Sequence, residues 1–137
     1  MRIGIVGYSG RKFNEDLAKQ LIKVGCLSCI QEHDDGHGIV IVSGLTDLGI
    51  PALAYRIAKE EGWKTAGVAC EKYKENPCFD VDEKKIVGDD WGDESEAFIG
   101  DIDCLVRVGG GDQSFAECEI AEDNNLPVYE YDLPEMQ

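Results

Sequence analysis

Short β-branched apolar runs alternate along the chain with stretches whose apolar residues recur every three to four positions. Residues 2–6 predict the first strand. Asn14 then stands as a cap before a helix with Leu17, Ala18, Leu21 and Ile22 along one face. The pattern carries this helix past Gly25 towards Ile30, and a polar loop over residues 32–38 ends it. Residues 39–42 predict a second buried strand. The helix after it starts at about Pro51, where the missing N–H has no helical partner to lose, and carries Ala52, Leu53, Tyr55, Ile57 and Ala58.

Gly62 closes that helix, and residues 65–69 predict the third strand. Residues 70–82, which include Pro77, read as a polar loop over the sheet edge. Residues 85–88 read as a short fourth strand, and residues 94–100 as a helix burying Ala97, Phe98 and Ile99. Residues 104–108 form another buried run. Residues 114–124 follow as a helix with Phe115, Cys118, Ile120 and Ala121 to pack, and residues 127–131 are the last strand. Strands alternating with helices imply right-handed crossovers. The expected fold is therefore a single Rossmann-like α/β domain over residues 1–137, a parallel sheet with helices on both faces.

Three of these strands run into a glycine turn and then a helix. Gly7-Tyr8-Ser9-Gly10 follows the first, with Arg11 or Lys12 placed to face an anion. Residues 43–51 (Ser43, Gly44, Thr46, Gly49 and Pro51 among them) follow the second, and Gly109-Gly110-Gly111 follows residues 104–108. A strand that turns through glycine into a helix presents free N–H groups and the positive end of the helix dipole, which suits an anion. A glycine turn also arises wherever a strand must simply reach its helix. Several such turns sharing the carboxyl edge of one parallel sheet make a stronger case than any one of them, because open α/β sheets bind ligands at that edge.

Composition narrows the ligand. A net charge of −15 argues against a nucleic-acid scaffold, since a phosphate backbone would be repelled over a wide surface. A small phosphorylated ligand held by helix termini is compatible with it. No apolar run approaches the roughly 18 residues of a membrane span, and residues 1–7 lead directly into glycines rather than a signal-peptide cleavage site. The 6 cysteines sit largely on apolar positions, so they are expected as free thiols in a reducing, cytoplasmic setting. Cys26-x2-Cys29-x3-His33-x3-His37 has metal-like residue types, but the spacing is too compact for a zinc finger and no metal is assigned. No cofactor is identified from the residues alone.

Residues 42–51 resemble the first glycine turn of the SLOG superfamily, which includes Lonely Guy phosphoribohydrolases, DprA-type proteins and molybdenum-cofactor carrier-like proteins. Residues 110–117 are similar to that superfamily's second motif, Gly-Gly-x-Gly-Thr-x-x-Glu. The resemblance implies a modified Rossmann fold, a nucleotide or nucleotide-derived ligand at the strand ends, and a homodimer. Leu53 and Ile57 are candidates either for the core or for the dimer face. Gly110 and Gly111 match the phosphate-turn glycines, Ser114 stands where the motif has threonine, and Glu117 where it has the glutamate of N-glycosidic cleavage. Gln113 replaces a motif glycine, and residues 93–100 lack the Arg-Lys pair of the hydrolases.

The expected ligand site is thus Gly7, Ser9, Gly10, Arg11, Ser43, Gly44, Thr46, Gly49, Gly109, Gly110, Gly111, Gln113 and Ser114. Glu117 is the candidate catalytic carboxylate, in the first turn of the last helix, with Glu94 and Ser95 as weaker neighbours. The leading expectation is a protein that binds a nucleotide or related phosphorylated small molecule. Nucleoside monophosphate phosphoribohydrolase and pterin or molybdenum-cofactor carrier are the alternatives.

Overall fold

The computed structural model describes residues 1–33 and 36–136. Asp34 and Asp35 of the expected polar loop, and Gln137 of the tail, lie outside the described residues. The elements run β1 (Arg2–Gly7), α1 (Glu15–His33), β2 (Val40–Ser43), α2 (Gly49–Glu61), β3 (Lys64–Ala69) and a 3-10 helix (Glu71–Glu75). β4 (Glu83–Ile86), α3 (Ser95–Gly100), β5 (Cys104–Val108), α4 (Asp112–Asp123) and β6 (Val128–Tyr131) complete the order.

The six strands form one parallel sheet in the order β4-β3-β2-β1-β5-β6. The chain winds outward from β1 to β4, then returns to place β5 on the other side of β1, with Ile5 beside Val106. The connections after β1 and β5 therefore diverge, and their carboxyl ends open a crevice at the switch point.

Period-2 alternation divides each central strand between two cores. On one face Ile3, Ile5, Ile41, Val106 and Val108 pack with Ile22 of α1 and Leu53 and Ile57 of α2. On the other, Val42, Val68 and Leu105 pack with Phe98 and Ile99 of α3 and Cys118 and Ala121 of α4. Leu53 and Ile57 are thus both consumed by the core, which removes them as a dimer face. Asn14 caps α1 as expected, its Oδ1 accepting the Leu17 N–H at 3.0 Å. Gly62 ends α2 in the left-handed region, donating back to Ala58 and Lys59.

Several expectations are corrected. Cys29 of α1 and Cys104 of β5 are joined in a disulfide, leaving Cys26, Cys70, Cys78 and Cys118 as free thiols. Both partners occupy fully buried positions where the helix crosses the strand, and in sequence such a position looks the same for a thiol as for half of a cystine. That bond also removes Cys29 from the metal-like spacing. Among the described residues no group of three His, Cys, Asp or Glu is arranged to hold an ion. Phe115 is exposed rather than packed, because α4 begins at Asp112 and turns that position outward. The fourth strand lies two residues earlier than its apolar run suggested. It is an edge strand whose Glu83, Lys84 and Lys85 are exposed, as suits an edge that must not pair further. No helix of the described residues is long and apolar enough to cross a membrane.

Candidate functional site

A cleft of about 460 Å³ opens at the carboxyl edge of the sheet, between the turns after β1 and β2 and the start of α4. Gly7, Ser9, Gly10 and Arg11 line it from the first turn; Ser43, Gly44 and Thr46 from the second; and Gly111, Gln113, Ser114 and Glu117 from the third. Three of the expected residues are not on its wall, namely Gly49, Gly109 and Gly110. Gly49 has φ 60°, and a Cβ there would come within 2.2 Å of the Tyr8 carbonyl oxygen. Gly110 has φ 110°, and its Cβ would press on the Ser114 side chain at 2.6 Å. Both are glycine because the backbone demands it.

The third turn is the open one. α4 has Gly111 at its cap position, extended and without a side-chain cap, so the N–H groups of its first turn meet no capping side chain. Arg107 of β5 braces this turn from behind. Its buried guanidinium donates to the Gly109 carbonyl at 2.8 Å and to Glu130 and Asp132, both at 3.1 Å, and lies 4.4 Å from the centre of the Phe115 ring. The second turn is more occupied. The Asp47 N–H donates to Pro77 O at 2.8 Å, the Ile50 N–H to Tyr8 O at 2.7 Å, and Leu45 O accepts from Phe79 at 2.8 Å. Pro51 contributes no N–H, and the Ser43 hydroxyl donates to Ile5 O at 2.6 Å.

Two carboxylates form the acidic wall. Glu94, only 5% exposed, accepts from the Gln113 side-chain amide at 2.8 Å and from the Gly92 N–H at 3.3 Å. Glu117, 6% exposed, accepts from the Ser95 hydroxyl at 3.1 Å. Burial pushes the Glu117 carboxyl up to about 7, and the like charge of Glu94 adds to this, against hydrogen bonds from Ser95 and Gln113 that favour the ionised form. Because α4 starts at Asp112, Glu117 lies in the second helical turn rather than the first, beyond most of the dipole's reach. Gln113, the departure from the glycine of the resembled motif, is what ties the start of α4 to Glu94. Arg11 is exposed and paired with Glu135 at 2.8 Å, which holds its guanidinium pKa above the ordinary range.

Aromatic residues absent from the expected set also line the cleft: Tyr8, Tyr73 and Trp91. Trp91 is 46% exposed within an acidic, glycine-bearing turn. A large apolar residue outside any helical or strand period was the available signal, since nothing in the local pattern gives it a core to fill.

No family model and no curated protein sequence matches the chain. Solved structures do. The molybdenum cofactor carrier protein of Chlamydomonas reinhardtii is 25% identical, with a TM-score of 0.72 over 94% of this chain and 74% of that one. The molybdenum cofactor binding protein of the phototrophic bacterium Rippkaea orientalis is 22% identical, with a TM-score of 0.73 over 94% and 74%. TM1055, a structural-genomics target, is 19% identical, with a TM-score of 0.71 over 93% and 71%. The chain has the Rossmann-like fold of the SLOG type that its two glycine motifs resemble.

Proposed function

We propose that this chain binds a phosphorylated heterocyclic small molecule, a nucleotide or a pterin-type compound, in the cleft at the switch point. The observation that carries the reading is the uncapped N-terminus of α4 opening onto a cleft whose other walls are aromatic and acidic. A phosphate suits the N–H groups at Gly111 to Ser114, with Arg11 at the rim, because the dipole and unpaired donors favour an anion there. A flat ring suits the space beside Tyr8, Tyr73 and Trp91. Gly7, Ser9, Gly10, Ser43, Gly44 and Thr46 complete the lining, whereas Gly49, Gly109 and Gly110 act through backbone shape. The likeness to molybdenum cofactor carrier and binding proteins supports a pterin as one member of the ligand class.

A second reading, N-glycosidic cleavage of a nucleoside monophosphate, is favoured by one observation, the Glu117 carboxyl poised at about 7. Against it stands the wall itself, in which Arg11 is the one base among the described lining residues. Release of free base from nucleoside monophosphates, lost in Glu117→Ala, is the result that establishes turnover. The homodimer implied by the resemblance belongs to the same proposal, and sedimentation at twice the 15.1 kDa of one chain tests it.

A thermal-shift screen with nucleoside phosphates, cyclic nucleotides and pterins tests binding. A ligand at about 100 times its dissociation constant stabilises by roughly 2.7 kcal/mol, a shift readable for a domain of this size. No shift with any of them, together with no small molecule released on denaturing the purified protein, overturns the reading.

A further inference from the structure

The acidic wall of the cleft specifies which edge of a heterocycle it accepts. Glu94 and Glu117 lie on different elements, one before α3 and one within α4, and both line the cleft while being almost wholly buried. Gln113 reaches both with its amide. The remaining donors on them are the Gly92 N–H and the Cys70 thiol, both to Glu94, and the Ser95 hydroxyl, to Glu117. An ionised carboxylate accepts about four hydrogen bonds, so Glu94, and Glu117 once ionised above about pH 7, retain acceptor capacity. No lysine or arginine is among the described groups within hydrogen-bond reach of either, and Arg11, the base on the lining, is paired with Glu135. The wall therefore offers acceptors without a compensating cation, and buried acceptors are costly unless donors meet them.

Resting on the reading of the cleft as a phosphorylated-heterocycle site, we infer that Glu94 and Glu117 select a ring edge carrying an N–H beside an exocyclic amine, the 2-amino-4-oxo pattern shared by guanine and pterins. That edge presents donors side by side. Adenine and cytosine alternate a donor with an acceptor, and hypoxanthine lacks the amine, so each leaves a carboxylate oxygen unmet. Tyr73 and Trp91 face the same cleft and supply apolar surface for the ring.

Calorimetric titration of the full chain with GMP, IMP, AMP and 6-hydroxymethylpterin monophosphate tests the assignment. GMP or the pterin phosphate is expected to bind about 10- to 100-fold more tightly than IMP and AMP, and whichever of the two is tighter identifies the source of the ring. Glu94→Gln and Glu117→Gln, each nearly isosteric, are expected to shrink that preference to about threefold or less. The comparison among wild-type ligands stands even where a variant fails to fold. IMP or AMP binding as tightly as GMP and the pterin overturns the edge assignment and leaves the wider reading intact. An undiminished preference in both folded variants removes it from these carboxylates, and binding of none of the four probes overturns the edge assignment, while the wider reading stands or falls with the thermal-shift screen and the denatured supernatant.

Discussion

The turn into α2 and the turn into α4 resemble each other in sequence, each a strand, glycines and a helix start, yet they differ in what they leave free. At α2, which likewise has no side-chain cap, the Asp47 and Ile50 N–H groups are taken by Pro77 and Tyr8, and Pro51 supplies none. At α4 no side chain caps the helix, and Gly111 to Ser114 border the cleft. An anion site is thus a matter of accounting for each N–H rather than of glycine content. The glycines divide the same way. Gly49 is required by its own backbone and by its contact with Tyr8, whereas Gly44 and Gly111 have open space where a Cβ would go.

The largest expected effect is on folding. Gly49→Ala should cost more than about 3 kcal/mol, combining a left-handed backbone with a steric clash, while Gly44→Ala on the same turn should stay within about 0.5 kcal/mol. Urea midpoints compare the two, and equal midpoints would break the division of glycines drawn above. Next comes the buried acid beside the open turn. The folded Glu117 carboxyl titrates at about 7 against an ordinary 4.5, so between these values the native chain holds a proton that the unfolded chain has lost. Native stability therefore falls as pH rises across that window. Glu117→Gln should remove the fall, gaining at most about 3 kcal/mol near pH 8 and almost nothing below about pH 4.5. Urea unfolding at both ends of the range reads this, and parallel pH profiles for the two proteins would count against it.

The smallest expected effect is on binding. Gly111→Val places a β-branched side chain in an extended backbone with room for it, so the fold should be retained while affinity for the ligand found by screening falls about tenfold or more. Gly44→Val, on the occupied turn, should lower affinity less. Equal losses at the two turns would mean that α4 has no special share in anion binding. Gly110→Val is the poorer experiment, because φ 110° makes that residue strained whatever the cleft contains.

Much of the architecture was legible because it rests on local periods. Residues 104–108 match β5 in full, and the other strands and α-helices fall within a few residues of their expected bounds, whereas the 3-10 helix Glu71–Glu75 lies in a stretch read as loop. The turns were legible as turns, since glycine and strand ends mark them. What could not be read depends on the third dimension. Phe115 and Cys118 both look like core residues of α4, and only the placement of the helix start decides that one faces solvent and the other Leu105. Tyr73 and Trp91 reach the cleft from segments distant in sequence from the glycine turns. The partner of Cys29 lies 75 residues away, where no pattern of neighbours can identify it.

That disulfide has a mechanical consequence. It closes a covalent ring running from α1 to the first residue of β5, and β1, which precedes the ring in the chain, is seated in the sheet between β2, which lies within the ring, and β5, which leaves it at Cys104. Pulled by its two ends, the oxidised chain can be drawn out along only about 60 residues, a contour of roughly 200 Å, and the reduced chain to about 460 Å. A force–extension trace would thus read the state of one bond as a length. Tension applied at the termini would load β1 and β6, which lie outside the ring, and leave the segment from β2 to α3 slack within its loop.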